Sequence, residues 1–184
     1  MGGVAIWCMH FIANCAIVLA NREPALQIVY NTTFTVISFF VPIVVLLAAF
    51  ILIGANENVR LVRLVPGGAL AGLAICGMHY LGQAGIANYT SVYDIGRVVG
   101  AAIIAVVASI TALSLFFVFQ ASWTTSWWKR AICAIILAGA VSGMHWTASS
   151  GTSYRFKKQD TSSKDPLTRN HTVIIVLVLV CFRG

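Results

Sequence analysis

Three of the four histidines in this 184-residue chain stand directly after a methionine and directly before an aromatic residue: Met9-His10-Phe11, Met78-His79-Tyr80 and Met144-His145-Trp146. Every methionine other than Met1 takes part. Each triplet lies in a long apolar stretch, where an ionisable side chain is costly and by default marks a functional site. Imidazole and thioether are soft to borderline donors. Three imidazoles brought together, with Met9, Met78 and Met144 beside them, would suit a transition metal, Cu(I) above all, rather than magnesium or calcium. The competing reading is structural: each histidine hydrogen-bonds a neighbouring helix while the methionine fills gaps. His171 has no such context and reads as a solvated loop residue.

The triplets belong to an internal repeat. His10 and His79 are 69 positions apart, His79 and His145 are 66 apart, and each interval holds one motif helix, a loop and a plain helix. The three motif helices therefore run in the same direction, with their histidines at similar depth. Seven residues before each histidine stand Gly3, Gly72 and Ala138; three after it stand Ala13, Gly82 and Ala148. These offsets share a helix face, so each histidine lies on a small-residue face able to approach a neighbour closely. Four residues after the histidines come Asn14, Gln83 and Ser149, all polar and one turn away on the same face. Cys76, three before His79, is aligned with it as well, whereas Trp7 and Ser142 hold the equivalent positions.

The elements that must position these residues are membrane helices. The chain is 59% hydrophobic and 9% charged, with a mean hydropathy of +0.89. Soluble domains usually carry about 25% charged residues. Apolar runs of about 17 to 25 residues suffice to span a bilayer core. They predict spans at 3–19, 33–54, 65–87, 98–119 and 131–149, with a sixth beginning near Thr172 and incomplete at 184. The expected fold is an all-α integral membrane protein of about six transmembrane helices, built from three helix-pair repeats at about 3–54, 65–119 and 131–184 of a single domain over 1–184. Pro66 suits the first turn of the third helix, and Pro42 falls inside the second. Gly68 to Gly72 and Gly139 to Gly143 have the small-xxx-small spacing of close helix contacts. Trp123, Trp127 and Trp128 beside Lys129 and Arg130 read as an interfacial anchor.

The net charge of +7 would suit a nucleic-acid partner in a soluble chain. Here the basic residues fall between apolar runs, so the expected partner is the lipid bilayer and no nucleic acid. Glu23, Glu57, Asp94, Asp160 and Asp165 all fall in predicted loops, leaving no carboxylate at membrane depth for a proton relay or hard-cation site. The five cysteines show neither metal-ribbon nor disulfide-framework spacing. Connections after spans 1, 3 and 5 carry all three N-x-[ST] sequons, at Asn31, Asn88 and Asn170, which would place that side outside or in a lumen if they are used. Asn and Thr at helix ends equally serve as caps. Arg60, Arg63, Lys129 and Arg130 on the opposite side, against Arg22 and Arg97, agree with the sequons. The long fifth loop, with Arg155, Lys157, Lys158, Lys164 and Arg169, opposes them.

At residues 3 to 11, 72 to 80 and 142 to 148, around the three Met-His pairs, the chain resembles the MHYT-domain integral membrane sensors, named for a Met-His-Tyr-Thr motif on three helices. The resemblance extends over nearly the whole chain. It implies copper bound near the outer face of the cytoplasmic membrane, detection of a diatomic gas such as O2, CO or NO, and a cytoplasmic signalling partner. Bacterial members are often joined to cyclic-di-GMP enzymes or histidine kinases. The copies here read Met-His-Phe-Ile, Met-His-Tyr-Leu and Met-His-Trp-Thr, and Asn14, Gln83 and Ser149 stand where the bacterial pattern commonly has a second methionine. These polar replacements and the sequons look more like fungal members. The helix that usually precedes the first motif and the output region that follows are missing, so a fragment is expected. The leading expectation is a membrane sensor whose His10, His79 and His145 bind copper, with the preceding methionines auxiliary. Alternatives are a haem-binding redox protein with two axial histidines, a metal transporter or permease, and a structural scaffold. Enzymatic catalysis is not expected, because no nucleophile, base and orienting acid can be assembled from the spans.

Overall fold

In lipid every backbone polar group must be satisfied within the segment, so long apolar runs fold as helices. The computed structural model describes residues 2–17, 27–54, 61–118, 127–157 and 167–181. Among them are six helices, α1 (Gly2–Cys15), α2 (Thr32–Ile53), α3 (Leu61–Ala84), α4 (Ile95–Val118), α5 (Trp127–Ser150) and α6 (Arg169–Cys181), and two short strands, β1 (Tyr89–Tyr93) and β2 (Thr152–Phe156). Thr32–Ile53, Val62–Ala84 and Ile95–Phe117 are each long and apolar enough to cross a membrane, and the chain is an α-helical integral membrane protein. Arg22, Glu23, Glu57, Arg60, Trp123, Lys158, Asp160, Lys164 and Asp165 lie outside the described residues.

Local chemistry sets the helix ends. Asn31 caps α2, its Oδ1 accepting from the Thr33 and Phe34 amides at 2.9 and 3.3 Å. Gly54, at φ +85°, ends it by donating to the Phe50 and Ile51 carbonyls. Asp94 caps α4 by accepting from the Gly96 amide at 3.1 Å. Several boundaries differ from expectation. α1 ends at Cys15, where Ala16 and Ile17 donate to carbonyls three residues back, at 3.0 and 3.1 Å, and tighten the last turn. α3 starts at Leu61, so Pro66 sits inside the helix rather than in its first turn and deprives the Val62 carbonyl of its usual partner. His171 is exposed, but in the first turn of α6 rather than in a loop.

α3 is the central helix: it contacts α1, α2 and α4, and 56% of its spanning stretch is buried, against 22% for α2 and α4. Its small residues make this fit. A Cβ on Gly68 would meet the backbone of Ile110 at 2.8 Å, and one on Gly72 would press on Val106 and Ala105 in α4. The second small-xxx-small pattern behaves differently. Gly139 and Gly143 face open space: among the described residues, a Cβ at either would meet nothing within 4 Å.

The connections after α1, α3 and α5 assemble at one end of the bundle, so the three motif helices run parallel as their spacing requires. β1 pairs antiparallel with β2, Tyr89 opposite Phe156 and Ser91 opposite Tyr154. Tyr30 bridges both Ile86 and Leu167. Asn88 ties the layer together: its Oδ1 accepts from the Val29 amide at 3.0 Å and its Nδ2 donates to the Gln27 carbonyl at 2.6 Å. This layer adds two five-residue strands to the expected helical bundle. It also gives two sequon asparagines structural work, Asn31 as a cap and Asn88 as a buried bridge.

Candidate metal centre

The three motif helices reach the β layer in parallel and bring His10, His79 and His145 together. One ring nitrogen from each lies within 4.8 Å of the other two, and among the described residues this is the group of histidine, cysteine and acidic side chains that meets that spacing. The rings stack edge-on, with centroids 4.9, 5.0 and 5.3 Å apart. His10 and His79 are fully buried and His145 is 7% exposed. The Nδ1 atoms of His79 and His145 are 3.2 Å apart, so one of them carries the shared proton.

Two ring nitrogens, Nδ1 of His10 and Nε2 of His79, are buried without a hydrogen-bond partner. An unmet buried polar group costs about 1–3 kcal/mol. A metal ion would relieve that cost. The donor set, three imidazoles with no carboxylate, fits copper, zinc, iron or nickel and not magnesium or calcium.

Two of the three polar residues four positions on reach their own histidine. Asn14 donates from Nδ2 to His10 Nε2 at 3.1 Å, and Ser149 Oγ lies 3.4 Å from His145 Nε2. Gln83 does not reach its own histidine in this way; it donates to Asn14 Oδ1 at 3.4 Å, across from α3 to α1. Tyr154 on β2 donates its hydroxyl hydrogen to Gln83 Oε1 at 3.2 Å. Burial raises the Tyr154 phenol, partly offset by the bond to Gln83 and reinforced by Tyr93, so Tyr154 keeps its proton at neutral pH. Gly82 makes room for the centre, since a Cβ there would collide with His10 Nε2.

The methionines are distributed differently. Met78 is buried in an apolar cluster with Trp7, Phe11 and Tyr30, and Met144 in another with Ile75, Cys76 and Ala101. Met9 is half-buried and lines an apolar cavity of about 390 Å³. Ile6, Ile75 and Val141, each four residues before a histidine, line the same cavity, which therefore opens one helical turn from the triad. Cys76 is a buried thiol outside the histidine group.

Tyr154 is the participant that sequence reasoning missed. It lies on a strand with no apolar periodicity to announce it, and only the pairing of β1 with β2 carries it over Gln83.

Three buried imidazoles on parallel helices beneath a β layer define a helical membrane domain with an all-histidine centre. The chain belongs to the MHYT family, described as a bacterial signalling protein N-terminal repeat, whose model matches residues 3–65 and 72–128. It is also similar to the signaling protein YkoW of Bacillus subtilis (strain 168), at 24% identity over 98% of this chain and 22% of that protein. The chain thus spans about a fifth of that curated relative's length. No solved structure matches it.

Proposed function

We propose that this domain is a membrane sensor whose His10, His79 and His145 hold one transition-metal ion, copper by the family resemblance, and that a small ligand arriving at that ion is the signal. The observation that carries this reading is the convergence of three buried imidazole nitrogens within 4.8 Å. A bound ion would supply an electrophilic centre with an open position for a diatomic ligand such as O2, CO or NO. The half-open apolar pocket one turn from the triad favours such a ligand, because its lining suits a small apolar guest. Met9, Met78 and Met144 remain auxiliary candidates that adjoin the ligating histidines in sequence, with Cys76 nearby. Asn14 and Ser149 orient the rings, as groups behind metal-bound histidines commonly do.

A haem site is less well supported. A porphyrin needs a flat slot between two axial imidazoles, and the third imidazole here packs edge-on against both of the others. A transporter is disfavoured because the described helices contain no carboxylate. The role is signalling rather than catalytic, and the signal passes to a cytoplasmic partner, with the β layer on the extracellular or lumenal side.

Elemental analysis of the purified protein tests the reading. We expect one metal ion per chain, lost when His10, His79 and His145 are all changed to alanine; metal content unchanged in the triple variant overturns it.

A further inference from the structure

We infer that Tyr154, Gln83 and Asn14 form a reversible polar wire that carries the occupancy of the histidine triad out to the β layer; this rests on the triad accepting a metal ion. The wire has a direction. Tyr154 donates to Gln83 Oε1 at 3.2 Å, Gln83 Nε2 donates to Asn14 Oδ1 at 3.4 Å, and Asn14 Nδ2 donates to His10 Nε2 at 3.1 Å. His10 therefore accepts at Nε2, and as a neutral ring it carries its proton on Nδ1. That Nδ1 is the buried nitrogen without a partner.

The opposite direction fits the same heavy-atom positions. A carboxamide presents nitrogen and oxygen of nearly equal size, so half-turns of both amides reverse every bond. His10 Nε2 would then donate to Asn14, Asn14 to Gln83, and Gln83 to the Tyr154 oxygen. Mixed arrangements set donor against donor or acceptor against acceptor. With Asn14 2% and Gln83 1% exposed, no bulk water is at hand to mend the mismatch. The wire thus has two self-consistent states, and the buried Tyr30 hydroxyl beside Asn14 can turn to suit either.

Were an ion held at His10 Nδ1, the ring could keep a proton only at Nε2, and the reversed state would be the one that fits. The proton given up at Nδ1 goes to solvent and Nε2 takes one back from it during local opening, so the ring stays neutral and no proton is gained or lost overall. At the far end Tyr154 turns from donor to acceptor, and its hydroxyl hydrogen is released toward the half-exposed layer. A change at membrane depth is thereby delivered to a strand outside it.

The test uses the full chain in detergent, with Cu(I) as the probe. The tyrosine C–O stretch of Tyr154 is assigned by difference infrared spectroscopy against Tyr154→Phe, and the His10 tautomer by ¹⁵N NMR. We expect Nδ1–H in the metal-free protein and a Tyr154 band that moves from the donor to the acceptor position on loading. Gln83→Leu, which removes both polar ends without adding a sulfur donor, should take up the same amount of metal and lose the Tyr154 shift. Metal uptake by the unaltered protein with no Tyr154 shift, or a shift that persists in Gln83→Leu, overturns the wire while leaving the metal reading intact. Absence of any uptake overturns both.

Discussion

Gly82 shows how much of the centre depends on one missing methyl group. It stands three residues after His79, and its lack of a side chain is what admits the ring of His10 from the neighbouring helix. Gly82→Ala would drive a Cβ into His10 Nε2, and such overpacking typically costs about 1–3 kcal/mol. We expect a lower unfolding temperature together with reduced metal content, read by thermal unfolding and elemental analysis of the same preparation. Gly77 is a control on the same helix, because a Cβ there meets nothing within 4 Å. Gly77→Ala should raise helix stability by up to about 1 kcal/mol and leave the metal content alone.

At the scale of elements, two glycine pairs of the same spacing have opposite consequences. Gly68 and Gly72 let α3 approach the backbone of α4, so Gly72→Val should force the helices apart and lower stability by about 1–3 kcal/mol. Gly139 and Gly143 face open space on α5, and Gly143→Ala should be neutral or mildly stabilising in the same unfolding assay. Comparable destabilisation by the two substitutions would contradict the packing described. Spacing alone marks a helix face that is able to pack. Whether a neighbour uses that face is settled by the arrangement of the bundle.

For the molecule as a whole, the β layer holds the parallel motif helices in register at one end. Asn88 joins the connection after α1 to the one after α3 through two hydrogen bonds, and it is 5% exposed. Asn88→Ala would leave the Val29 amide and the Gln27 carbonyl without that partner, at a cost of about 1–3 kcal/mol for each group left buried and unmet. We expect cooperative loss of both fold stability and metal retention, measured by unfolding and by dialysis against a chelator. A substitution that lowered neither would show that the layer does not hold the triad. The same burial predicts that Asn88 carries no glycan in the folded protein, which mass spectrometry of the mature chain checks directly.

The repeat made much of this legible in advance. The similar spacing of His10, His79 and His145, 69 and 66 positions, required three parallel helices with their histidines at similar depth, because a membrane helix has a fixed rise per residue and little freedom in where it can turn. The same periodicity placed Asn14 and Ser149 on the faces of His10 and His145, where they bond. The partner of Gln83 could not be read this way, since it bonds across to Asn14 and not along its own helix. Nor could the fate of Met78 and Met144, which lie in separate apolar clusters on different sides of α3. Tyr154 was hidden altogether, because strand pairing between residues some 60 positions apart leaves no local periodic signature. The sequence alone determined the helices and the depth of the three histidines, through hydropathy and period. Only the tertiary structure decided which atoms face one another, since that depends on how the helices turn about their axes and on a layer built from connections distant in the chain.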